Sequence, residues 1–107
     1  MIQRINIYIY IMKYEDLIEI SDPYTVYTKF KKMYPPDSDI KISTRKTKKY
    51  MIWNPDMEKW FHFGSTNMSD YTRHGNTQRR TNFLRRNKKW AESDIYTPAY
   101  ASYTLLW

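Results

Sequence analysis

Three short strand signals follow one another between Asp39 and Gly64, with turn formers between them. Over Asp39–Lys46, Ile40 and Ile42 alternate with polar neighbours. Lys49–Trp53 carries Tyr50, Met51, Ile52 and Trp53, and Lys59–Phe63 carries Trp60, Phe61 and Phe63. Asn54-Pro55-Asp56 is a turn cluster, and Gly64 closes the third segment. The pattern predicts an antiparallel meander over about 39–64, its last two strands forming a hairpin.

Helical signals flank the meander. Tyr14–Ile20 reads as a short helix with Leu17 and Ile18 inward. Asp22 is an N-cap candidate and Pro23 suits the first helical position. Val26, Tyr27, Phe30 and Met33 then recur at helical spacing until Pro35-Pro36 ends the helix. Beyond the meander, Asn76 or Thr77 caps a helix from Gln78 to about Trp90. Its apolar stripe is thin: Phe83, Leu84 and Trp90. Thr97-Pro98 opens a last helix that brings Tyr100, Tyr103 and Trp107 to one side, to dock on the open sheet face or on a partner. At the other end, Ile5, Ile7, Ile9 and Ile11 alternate as a strand that adds to the sheet or pairs with another chain. Met12 opens a second start, MKYEDL. The expected fold class is α+β: a three-stranded meander packed with two to four short helices. Residues 1–38 supply the N-terminal strand and helical segment, and 39–107 the basic meander and its helices, as one compact domain.

Composition removes several functions. The 107 residues hold no cysteine, which excludes disulfides and thiolate chemistry. Two glycines cannot build a glycine-rich phosphate cradle. His62, Asp70 and His74 stand eight and then four apart, which fits no metal signature. Each reads instead as a surface or turn group, with Asp70 capping a turn or pairing with Arg73 or His74. No serine lies in a glycine-flanked elbow. No enzyme signature, cofactor or metal is therefore expected. The Ile-rich start is too short to span a bilayer and lacks a small-residue cleavage site, so no membrane span is expected and an intracellular location is.

Charge carries the functional reading. The formal net charge is +7, and residues 41–107 hold thirteen basic side chains against five acids. Between Asp70 and Glu92 there are seven cations and no acid: Arg73, Arg79, Arg80, Arg85, Arg86, Lys88 and Lys89. Clustered cations attract phosphate backbones by releasing condensed counterions, and arginine adds bidentate contacts. A second patch, with Lys41, Arg45, Lys46, Lys48 and Lys49, lies on the first two strands and their turn. Strand aromatics either pack the core or stack bases, and Trp53, beside a turn, is the expected exposed one.

The runs Ser43-Thr44-Arg45-Lys46, Lys48-Lys49-Tyr50, His62-Phe63-Gly64, Asp70-Tyr71-Thr72, His74, Arg79-Arg80 and Leu105-Leu106-Trp107 occur in that order. In this the chain resembles a family of small uncharacterised proteins of nucleocytoplasmic large DNA viruses, the giant viruses, over about Ile40–Trp107. It departs from that family in having Asn67 or Met68 where a glycine precedes the Asp-aromatic-Thr motif, and Gly75-Asn76 where Lys-Asp follows the histidine. The resemblance implies a viral origin and brings no known activity. Sequence and resemblance together predict a basic, non-enzymatic viral protein that binds DNA or RNA through phosphates, in the infected cell's cytoplasm or viral factory, or in the virion. The alternative is a capsid or cementing protein, with the basic face, the aromatic C-terminus and the Ile strand as interfaces.

Overall fold

The computed structural model describes residues 13–107. The Ile5–Ile11 strand signal lies outside the described residues. A helical stretch over 13–17 leads through a turn to α1, Pro23–Met33. Three strands follow: β1, Asp39–Ile42; β2, Lys48–Asn54; and β3, Lys59–Ser65. They form an antiparallel meander in the order β1-β2-β3, with Ile40 opposite Ile52 and Ile52 opposite Phe61. Then come α2, Tyr71–His74; α3, Thr77–Arg86; a 3₁₀ helix, Lys88–Glu92; α4, Pro98–Ala101; and a wide π turn, Ser102–Leu106. The architecture is α+β, as the segment pattern predicts.

Local chemistry sets the boundaries. The Asp22 carboxylate accepts from the Tyr24 amide and Pro23 starts the helix, so α1 begins where its cap allows. Tyr34 is extended because the residue before a proline is disfavoured in helix, and α1 stops there. β1 is shorter than the expected Asp39–Lys46. The Ser43 hydroxyl accepts from the Arg45 amide at 2.9 Å, which folds the chain into the β1–β2 turn. The Asn54 side chain accepts from the Asp56 and Met57 amides and shapes the β2–β3 turn. α3 starts at the predicted cap, Asn76, but ends four residues before Trp90. The Asn87 amide and side chain both donate to the Phe83 carbonyl, terminating α3 and opening the 3₁₀ turn.

One core takes side chains from every part of the described chain. Leu17, Val26 and Phe30 meet Tyr50, Ile52 and Phe63 of the sheet and Ala101, Leu105 and Leu106 of the tail. Trp107 is buried and stacks on Phe83 with centroids 4.3 Å apart. The aromatic tail therefore docks within its own chain, on the sheet and on α3. The Tyr34 hydroxyl donates to the Ile95 carbonyl at 2.6 Å and ties α1 to the loop before α4. Three expected inward side chains point out instead. Ile18, Tyr27 and Met33 are exposed, because Leu17 and the Val26–Phe30 pair suffice to cover the sheet there.

The two glycines have different reasons. Both hold positive φ, +81° at Gly64 and +62° at Gly75. A Cβ at Gly64 would stand 3.0 Å from Leu106 Cδ1 and 3.1 Å from Lys49 Cδ, whereas one at Gly75 meets nothing within 4 Å. Gly64→Ala is therefore expected to cost more than Gly75→Ala. Backbone strain of order 1–3 kcal/mol applies to both, and steric displacement adds to it only at Gly64. Urea unfolding of the two variants checks the order; equal losses would remove the packing role assigned to Gly64.

Candidate nucleic-acid interface

The cations singled out by sequence divide into three groups. Arg45 and Lys46 are exposed at the β1–β2 turn, and Lys48 is half-buried beside them. Arg73, on α2, and Arg79, Arg85 and Arg86, on α3, are exposed, as are Lys88 and Lys89. Because α3 ends at Arg86, Lys88 and Lys89 do not share its helical face; they sit on the 3₁₀ turn. Among the described residues the only ion pair joins Lys49 to Asp70, so none of the exposed cations has a carboxylate partner.

Lys49 does not belong to the surface. It is 1% exposed, and its ammonium donates to Asp70 Oδ2 at 3.1 Å. Its stem passes the bare Gly64, which stands between the Lys48–Ser65 and Tyr50–Phe63 register pairs. Burial lowers its affinity for a proton, and the Asp70 charge opposes that shift. Asp70 is wholly buried and caps α2, accepting from the Thr72 amide and hydroxyl. Its ionic partner is thus Lys49, rather than Arg73 or His74. Thr72 accepts from the Asp22 amide, and the Ser21 hydroxyl meets that of Tyr50 at 2.7 Å.

Arg80 is also committed, although exposed. Its Nε donates to the Trp107 backbone oxygen at 2.6 Å, and its guanidinium lies 5.2 Å from the Tyr71 ring centroid. The arginine pair Arg79-Arg80 therefore splits: Arg80 fastens the tail to α3, and Arg79 faces solvent with a long contact to Ser69.

The histidines occupy separate neighbourhoods. His62 Nδ1 is 2.7 Å from the buried Ser43 hydroxyl. His74 Nδ1 accepts from the Asn76 amide at 2.9 Å, and its ring packs between Tyr71 and Trp107. Among the described residues no cluster of three metal-ligating side chains occurs.

Sequence reasoning missed Lys13. Its ammonium donates to the Ser43 and Arg45 carbonyls, holding the β1–β2 turn from thirty residues away, a contact no local pattern signals. It also missed a groove of about 380 Å³ between the sheet and the C-terminal elements. Lys48 and Ser65 line its sheet side, and Met68, Phe83, Trp90 and Leu106 the other. Of the candidate surface cations, Lys48 is the one that lines it.

Two outcomes follow from these contacts. Lys49→Met strands a buried carboxylate and is expected to cost about 3–5 kcal/mol, while the Lys49→Met/Asp70→Asn double variant costs less than the sum of the singles. Strict additivity in a urea double-mutant cycle would show that the pair does not act as a unit. The second concerns pH. His62 lies below its ordinary value of 6.5 through burial, then through Arg45, Lys13 and Lys48; His74 does so through burial, then Arg79, with Asp70 opposing. Each therefore binds fewer protons folded than unfolded, so stability rises with pH in that window. Their contribution is complete above 6.5 and is lost as pH falls through the lowered folded values. Urea midpoints should drop between pH 7.5 and 5, and a His62→Gln/His74→Gln variant should flatten that drop.

The comparisons with known proteins add one finding. A family of unknown function, DUF5754, matches residues 38–87, from just before β1 to the cap that ends α3. No curated protein and no solved structure matches the chain. The described residues contain no helix long and apolar enough to cross a membrane. By its central segment, the meander with α2 and α3, the chain is similar to DUF5754.

Proposed function

We propose that this chain is a non-enzymatic protein that binds nucleic acid through phosphate contacts with low sequence specificity. The observation that carries the reading is the unpartnered state of its exposed cations. Arg79, Arg85, Arg86, Lys88 and Lys89 follow one another on α3 and the 3₁₀ turn, and among the described residues none of them meets a carboxylate side chain. Like charges so close repel, and an anionic polymer relieves that repulsion while releasing its own counterions. Arg45, Lys46 and Lys48, at the β1–β2 turn, form a second cluster of cations. Arg73 adds a cation on α2; Lys49 and Arg80 are left out, since both serve the fold. The resemblance to proteins of large DNA viruses favours a viral origin, in which genome or transcript is the abundant polyanion. The capsid alternative loses one of its elements, because Leu105, Leu106 and Trp107 pack into their own chain.

Fluorescence anisotropy with labelled duplex DNA over a salt series tests this reading. Four to five phosphate contacts predict a log–log salt slope of about −4. Replacing Arg85, Arg86, Lys88 and Lys89 together by alanine should flatten the slope and weaken binding about equally for unrelated sequences. Absence of binding at low salt, or an affinity untouched by the four substitutions, would overturn the assignment.

A further inference from the structure

The sheet has a second face, opposite the core. Strand alternation puts Ile40, Ile42, Tyr50, Ile52, Phe61 and Phe63 inward, and all six belong to the core or pack on it. The register places Asp39, Lys41, Met51, Trp53, Trp60 and His62 on the other side. Met51 is buried in the middle of this face, while Trp53 and Trp60, two of the largest side chains in the chain, lie outside the core cluster and the hydrophobics packed on it.

Trp53 and Trp60 are direct cross-strand partners, half-buried, with ring centroids 5.5 Å apart and planes inclined at 60°. Lys41 reaches from β1 across β2 to bring its ammonium 5.4 Å from the Trp60 ring. Beyond Lys41 the same row runs to His62, which feels the charge of Arg45 at the β1–β2 turn. At the opposite end stand Asp39, Asp56 and Glu58. The Asp39 carboxylate is turned back onto the Ile40 amide at 2.8 Å. The face is therefore graded: Asp56 and Glu58 at the β2–β3 turn, then the indole row with Asp39 opposite Trp53, then Lys41 and the β1–β2 turn.

We infer that this face is a stacking platform for single-stranded nucleic acid, with unpaired bases on Trp53 and Trp60 and the adjoining phosphates on Lys41 and Arg45. Partly exposed indoles outside the core offer π surface that any base can cover, whereas duplex bases are already stacked on one another. The cations lie to one side of the indoles, which separates a base subsite from a phosphate subsite. Successive same-face positions along a strand are roughly 7 Å apart, so the tryptophan row and the Lys41–His62 row are distinct. The inference rests on the nucleic-acid reading and specifies its substrate, on a surface separate from α3.

The test is anisotropy of labelled oligothymidine against a duplex of equal length, using the full chain, Trp53→Ala, Trp60→Ala, Trp53→Phe and the four-cation α3 variant. Far-ultraviolet circular dichroism checks folding, which both alanine variants should keep because neither indole touches the core. Each is expected to weaken oligothymidine binding roughly tenfold and leave duplex binding unchanged, while Trp53→Phe, which keeps a ring, loses less. Binding of oligothymidine should also quench tryptophan emission, and less so in Trp53→Ala. If the duplex binds and both alanine variants hold oligothymidine as tightly as the parent, the platform is overturned while the phosphate reading stands. If oligothymidine binding needs the tryptophans but ignores the α3 substitutions, the platform stands and the α3 assignment falls. If neither polymer binds, both fall.

Discussion

A buried lysine–aspartate contact organises the rest of this structure. Two ions removed from water cost several kcal/mol each before their attraction is counted, so such a pair persists only where further hydrogen bonds complete it. Here the completion is visible on both sides. Asp70 accepts from Lys49 and from the amide and hydroxyl of Thr72, so one carboxylate starts α2 and closes the ion pair. Thr72 then receives the Asp22 amide at the start of α1. The missing side chain at Gly64 leaves space for the lysine stem and for Leu106. Sheet, α1, α2 and tail thus meet at a single charged contact.

That network brings the motif residues together. Lys49, Tyr50, Gly64, Asp70, Tyr71, Thr72, His74, Leu106 and Trp107 read in sequence as scattered short runs. In the fold they are neighbours through ion pair, cap, ring stack and tail. The motif is therefore first a folding unit. Its surface-facing members, Arg45, Lys46 and Arg79, are the ones available for a partner.

Local chemistry is what sequence reading captured. The meander, the Asp22–Pro23 start of α1, the Asn76 cap and the Thr97–Pro98 start of α4 depend on residues a few positions apart, and each is where the pattern predicts. What stayed hidden depends on distance in space. Lys49 looks like any strand lysine until Asp70, twenty-one residues away, folds against it. Arg80 matches Arg79 in type and context, and only the position of Trp107 distinguishes them. The end of α3 was overrun because charge and apolar spacing continue to Trp90, while the side chain of one residue, Asn87, decides the stop. Of the eleven candidate cations, the two that proved structural are those with long-range partners.

The stop at Asn87 also changes how the protein carries its own charge. An α-helix advances 1.5 Å per residue and a 3₁₀ helix about 2.0 Å, with a different angular step. Arg85 and Arg86 lie before this transition, Lys88 and Lys89 after it. Had the α-helix continued, Arg85 and Lys89 would stand one turn apart on the same face, a destabilising like-charge spacing. The change of helix type takes Lys89 out of that register with Arg85. The densest cationic stretch of the chain, Arg85–Lys89, is thereby divided between two helical pitches, the second of which ends on an acid, Glu92.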